Sequence, residues 1–137
     1  MPKQPDTIFS HFFELGRLMK RRMSATMPLS MPQMEALHFV AEQQAPSMRA
    51  LAEYLKVKAP TATALAQELV RAGLLRRKTL GSDRRTIVLS LTPKGKRGLE
   101  EMLRTRKRVV AEVLSGLSVR DRADFDRLLK AIISTNR

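Results

Sequence analysis

Ile8, Phe12, Leu15 and Met19 recur at i, i+4, i+7 and i+11, the spacing of one helix face, and predict a first helix over about residues 7 to 24. Phe9 and Phe13 widen that face. After the linker 25–29, Ser30 followed by Gln33 has the form of a capping box, in which the serine takes a free amide and the glutamine returns the bond. A second helix is expected to about Gln44, with Met34, Leu37, His38 and Ala41 on its core face. Ser47 is the next cap, and Met48, Leu51, Ala52 and Leu55 share one side of a short helix over 48–55. Past Lys56, Val57 and Lys58, a further helix opens with Pro60 in its first turn, carries Leu65 and Leu69 at i, i+4, and stops at Gly73. Two short helices joined by a tight turn make a helix-turn-helix.

Helical spacing then gives way to alternation. Residues 75–79 and 86–91 read as two strands joined by the turn 80–85, with Ile87, Leu89 and Leu91 alternating against Thr86, Val88 and Ser90. Thr92 and Pro93 are a cap and a first-turn proline, so the strand ends where a long helix begins. That helix is expected to about Ser115, striped by Leu99, Met102, Leu103, Val109, Val110, Val113 and Leu117. Ser118 with Asp121 starts a last helix whose apolar face is Phe125, Leu128, Leu129, Ile132 and Ile133. The expected architecture is mainly α with a small β-hairpin, on a chain of 137 residues that suits one folding unit.

Charge changes the picture because it is focused. Residues 56–97 carry eleven Lys or Arg against Glu68 and Asp83, which is +9 of the chain's net +13. A phosphate-binding protein needs its cations on the contact face, and here they fall on the helix-turn-helix and the hairpin. A solvated charged face is the plainer alternative. The absence of cysteine excludes disulfides, thiolate metal sites and cysteine nucleophiles. No run reaches four consecutive apolar residues and the N-terminus has no hydrophobic signal core, so a cytoplasmic location and no membrane partner are expected.

Three helices, a hairpin and two helices, in that order, make the layout of a winged helix-turn-helix with flanking helices. On the residues "PTATALAQELVRAGLLRR" (60–77) and "DRRTIVLSLTPKG" (83–95), the sequence resembles the MarR family of bacterial transcriptional regulators. The family's wing has an Asp-x-Arg, a hydrophobic strand and a Leu-Thr-x-x-Gly ending, matched here by Asp83, Arg85, Leu91, Thr92 and Gly95. The resemblance implies one domain over 1–137, with a DNA-binding lobe over 30–92 and dimerisation helices over 1–29 and 93–137. It also implies double-stranded DNA and a second copy of the chain as partners.

By that resemblance Arg85 enters a narrow minor groove, where the negative potential is deepest. Asp83 would hold its guanidinium in one orientation, or else simply form the turn. On the recognition helix, Thr61, Thr63 and Ala64 let the backbone approach the major groove, and Gln67 reaches adenine or a phosphate. Lys56, Lys58, Arg76, Arg77 and Lys78 are DNA-binding candidates as phosphate contacts, and Arg84 is a further DNA-binding candidate. The family often has a long polar residue near Ala64 and no acid near Glu68, so base preference stays open.

The flanking helices leave more apolar surface than one core needs, which a homodimer would cover. In the family an effector cleft lies between the dimer helices and the DNA-binding lobe. Met19, Met23, Met27, Met31 and Met34 cluster at the join of the first two helices. Met19, Arg22, Met23, Met34 and His38 are therefore the candidate pocket for a small aromatic or phenolic effector, with Arg17 a further carboxylate partner; ordinary core filling is the plainer reading. No cofactor or metal is expected: His38 shares helical spacing with Glu35 and Glu42, but His11 is the only other histidine.

The expected function is a sequence-specific DNA-binding regulator, a homodimeric repressor of a pseudo-palindromic operator released by a small molecule. The alternative is an architectural protein using the same basic face without a chosen site. An enzyme lacks its parts here: no cysteine, no glycine-rich phosphate loop, and no histidine–carboxylate pair in a recognisable motif. A membrane-surface protein would carry its charge along one long amphipathic helix instead.

Overall fold

The computed structural model describes the backbone of residues 4–137 and the side chains of residues 6–82 and 85–137. In chain order it contains α1 (Gln4–Thr26), α2 (Met31–Gln43), α3 (Met48–Leu55), α4 (Ala59–Arg71), β1 (Leu75–Leu80), β2 (Asp83–Leu91), α5 (Pro93–Val113) and α6 (Val119–Thr135). Ser24–Thr105 forms one compact unit; the chain up to Met23, with Arg106–Arg137, forms the other.

In the unit 24–105, caps set the helix starts. The Ser30 hydroxyl accepts from the Gln33 amide at 3.3 Å and the Gln33 side chain accepts from the Ser30 amide at 2.9 Å, completing the capping box of α2. Ser47 caps α3 in the same way, accepting from the Ala50 amide at 3.0 Å. Lys56, in the left-handed region at φ 56°, ends α3 and turns the chain into α4. Gly73 ends α4 at φ 77°, a conformation glycine adopts without a Cβ penalty.

Two apolar faces lie slightly off the expected positions. α2 buries Ala36, Leu37 and Val40, while Met34, His38 and Ala41 are only half-buried, because α2 meets α3, α4 and β2 over a wide arc. α4 buries Ala62, Ala66 and Leu69, leaving Leu65 half-exposed. Two alanines on its inner face let the helix lie close against α2 and α3. Leu37, Leu51, Leu69, Leu75 and Leu89 fill the centre. Each contributes about 1.5–3 kcal/mol by leaving water.

The hairpin is antiparallel, pairing Leu75 with Leu91, Arg77 with Leu89 and Thr79 with Ile87. Its turn is shorter than the expected 80–85. Gly81, at φ 54°, closes it together with Ser82, and Leu80 pairs directly with Asp83. The register then shifts between Leu80 and Thr79, and the ladder resumes where Ile87 faces Thr79. This is a bulge, which twists a strand and redirects its side chains. A third segment joins the sheet edge: the Leu89 amide donates to the Pro46 carbonyl at 2.9 Å, and Ser47 bridges Val88. The residue that caps α3 is thereby fixed to the wing.

α5 begins on a tight anchor. The Thr92 hydroxyl accepts from the Gly95 amide at 2.9 Å and donates to the Gly73 carbonyl, while the Thr92 amide donates to the Leu74 carbonyl at 3.1 Å.

In the other unit the buried side chains among the described residues are Met23 and Val109. Arg22 and Arg108 each stand 4.0 Å from the Glu112 carboxylate. α6 is capped by Ser118 and buries no residue. Its Lys130 lies 2.9 Å from Asp126, whose hydrogen bond and charge hold the ammonium above the ordinary lysine range. Ile8, Phe9, Phe12 and Phe13 on α1, and Leu128, Leu129, Ile132 and Ile133 on α6, are exposed. Among the described residues no helix is long and apolar enough to cross a membrane.

Candidate nucleic-acid interface

α4 turns its alanine face inward, so Thr61 and Ala64 are exposed and Thr63 and Gln67 half-exposed. Thr61, Ala64 and Glu68 follow one another at i, i+3, i+7 and form one outer stripe. Glu68 is not loose on that stripe: the Gln33 side-chain amide donates to its carboxylate at 2.9 Å. Gln33 therefore closes the capping box of α2 with its oxygen and restrains α4 with its nitrogen. Gln67 is likewise engaged, accepting from the Arg77 guanidinium at 3.4 Å across to β1. Gln67 and Glu68 are thus both held by neighbours, while Arg71 in the last turn of α4 is exposed.

Lys56, Lys58, Arg76, Arg77, Lys78 and Arg85 are all exposed. Among the described residues, Lys56, Lys58, Arg76 and Lys78 enter no ion pair. Cations without carboxylate partners exchange only water and counterions for a phosphate. The side chains of Asp83 and Arg84 lie outside the described residues, and with them the expected orienting contact from Asp83. Arg85 falls in the bulge of β2 and not in the turn itself. It also lines a cleft of about 800 Å³ with Arg49, Glu53, Lys56, Ala59 and Ile87, between α3, the start of α4 and the wing strand. Arg49 and Glu53 were not singled out by sequence; the signal was their i, i+4 spacing, realised as a 3.3 Å ion pair. Gln33 was recognised as a cap, but its second bond joins residues 35 positions apart.

Met19, Arg22 and Met23 belong to the unit containing α6, and Met34 and His38 to the unit 24–105. Met23 is buried, Met19, Met34 and His38 are half-buried, and Arg22 faces Glu112. His38 pairs with Glu42 at 2.9 Å. No group of metal-ligating side chains occurs among the described residues. Within the unit 24–105 a separate cavity of about 340 Å³ is lined by Met27, Leu37, Leu74, Lys94, Glu101 and Met102. The Lys94 ammonium donates to the Ala72 carbonyl at 2.9 Å.

A helix-turn-helix whose second helix is followed directly by an antiparallel hairpin, with cations on both, defines a winged helix-turn-helix. The family model for the MarR family matches residues 27–86, from the loop before α2 into β2. Over that stretch the chain is similar to the MarR family, and it has the winged-helix fold. It is similar to the YusO protein of Bacillus subtilis, at 25% identity and a TM-score of 0.78, covering 93% of this chain and 90% of that one. A MepR-like protein complexed with pseudoligands matches at 27% identity and a TM-score of 0.67, covering 96% and 94% of the two chains. A mutant of S. aureus MepR bound to an oligodeoxyribonucleotide shares the fold at 17% identity and a TM-score of 0.67, with both chains covered completely. None of the curated proteins matches the chain by sequence. Members of the MarR family are transcription regulators, not enzymes.

Proposed function

We propose that this chain is a homodimeric transcriptional repressor that binds a pseudo-palindromic operator through residues 30–92 and is released from it by a small aromatic or phenolic effector. The carrying observation is the exposed Thr61–Ala64 stripe of α4, flanked by Lys56, Lys58, Arg76 and Lys78, which enter no ion pair among the described residues. A threonine and alanine surface brings the helix backbone close to the major groove and offers methyl groups to thymine. The cations beside it meet phosphates. Arg85, redirected by the bulge, takes the minor groove.

Residues 1–29 and 93–137 supply the dimer contact. The exposed apolar side chains of α1 and α6 support this, because so many on one monomer need a cover. Two copies would set their recognition helices about 34 to 36 Å apart, one DNA turn per half-site. The cavity lined by Met27, Leu37, Leu74 and Met102 supports the effector. Its size and apolar walls suit one aromatic ring, with Lys94 available to a carboxylate or phenolate.

A second reading has one observation in its favour. Gln67 and Glu68 are held by Arg77 and Gln33, which leaves few long side chains to read bases and suits an architectural protein without a chosen site. Affinity for the DNA flanking its own gene, measured against shuffled DNA at fixed salt, separates the two. Preference for the flanking DNA is the expected result, and equal binding sinks the regulator.

A further inference from the structure

The cleft between α3 and the wing has three cations on its walls. Arg49 and Lys56 stand on α3 and just after it, and Arg85 stands on β2, with Ala59 at the start of α4 between them. If α4 lies in a major groove and the wing in the adjacent minor groove, one sugar–phosphate strand divides those two grooves. That strand must pass beside the start of the recognition helix, and the cleft opens there, walled by α3 and β2 with Ala59 of α4 between them. Its volume of about 800 Å³ and its cationic lining suit a run of phosphodiester.

We infer that the cleft seats the DNA strand dividing the two grooves, with Arg49 a phosphate contact and Glu53 an acidic brake that lowers affinity on every sequence. This rests on the DNA-binding reading above. Glu53 holds Arg49 through Nε at 3.3 Å, with the two side chains 70% and 89% exposed. A pair so open to solvent contributes little to stability, so Arg49 exchanges its carboxylate for a phosphate at small cost. The carboxylate left behind stays in the cleft beside the phosphate and opposes it. Arg49 thus acts on affinity and salt dependence, and neither residue selects bases.

The test is a salt series of fluorescence anisotropy titrations with the full chain, on the DNA flanking its own gene and on shuffled DNA. Arg49→Ala is expected to reduce the slope of log affinity against log salt by about 0.9 for each subunit, the share of one phosphate, hence about 1.8 for a dimer, and to weaken both DNAs by the same factor of about 10 or more. Glu53→Gln is expected to tighten both by several-fold. Circular dichroism of both variants should match the unaltered protein. DNA binding by the unaltered protein with an unchanged slope in Arg49→Ala overturns the inference alone, as does Glu53→Gln binding no tighter. No binding of any DNA by the unaltered protein overturns the DNA-binding reading, and the inference with it.

Discussion

Gly95 passes so close to Leu74 that a Cβ on it would press on the Leu74 carbonyl oxygen and lie 2.9 Å from the carbonyl carbon. The contact is backbone against helix, so neither side can rotate away. It sits beside the Thr92 bonds to Gly73 and Leu74, and together they fix the start of α5 on the end of α4. Gly95→Ala is expected to destabilise the protein by about 1–3 kcal/mol, read as a lower urea midpoint. Gly98→Ala is the contrast: its Cβ would meet only the Leu74 side chain at 3.7 Å, and removing a helix glycine should raise stability by about 0.5–1 kcal/mol.

Gln33→Ala removes the reciprocal half of the capping box and the restraint on Glu68 together. A stability loss of about 0.5–2 kcal/mol is expected. DNA affinity should fall several-fold more than stability explains, because an untethered Glu68 on the Thr61–Ala64 stripe opposes phosphate. Adding Glu68→Gln should restore most of the affinity and none of the stability. Thermal melts and anisotropy on the single and double variants separate the two effects.

Arg85→Ala is expected to weaken binding to the flanking DNA by about 10- to 100-fold, with helicity unchanged. Arg85→Lys should recover only part of it, since a lysine keeps the charge and loses the planar fork. Unchanged affinity in Arg85→Ala would remove the wing from recognition.

Ile132→Glu combined with Ile133→Glu places carboxylates on the exposed apolar face of α6. Sedimentation velocity is expected to show a dimer for the unaltered chain and a monomer for the variant. Affinity for the flanking DNA should drop by at least an order of magnitude as the second half-site is lost. A variant that sediments like the parent would place the contact elsewhere.

Much of the fold was legible because its signals are local. Ser30 with Gln33, Ser47, Pro60, Gly73, and Thr92 with Pro93 bracket helices through bonds spanning about four residues, and the alternation from Ile87 to Leu91 marks a strand. Residues 60–77, one of the two stretches that carry the resemblance to the MarR family, lie inside the part of the chain that the family model matches. The clustering of cations on 56–97 is likewise a property of the sequence.

What only the tertiary structure decided involves groups distant in sequence, or choices between equivalent local states. The register of β2 turns on whether the hairpin closes over two residues or six. Gly81 permits the tighter closure, and the excess length becomes a bulge that carries Arg85 out of the turn. The inner face of α4 runs along Ala62, Ala66 and Leu69 because neighbouring helices approach the small residues most closely. Gln33 meets Glu68, and Arg49 shares a cleft with Arg85, only once the chain has folded. Sequence periodicity tells which residues share an element and a face, whereas which faces meet is set by packing of the whole lobe.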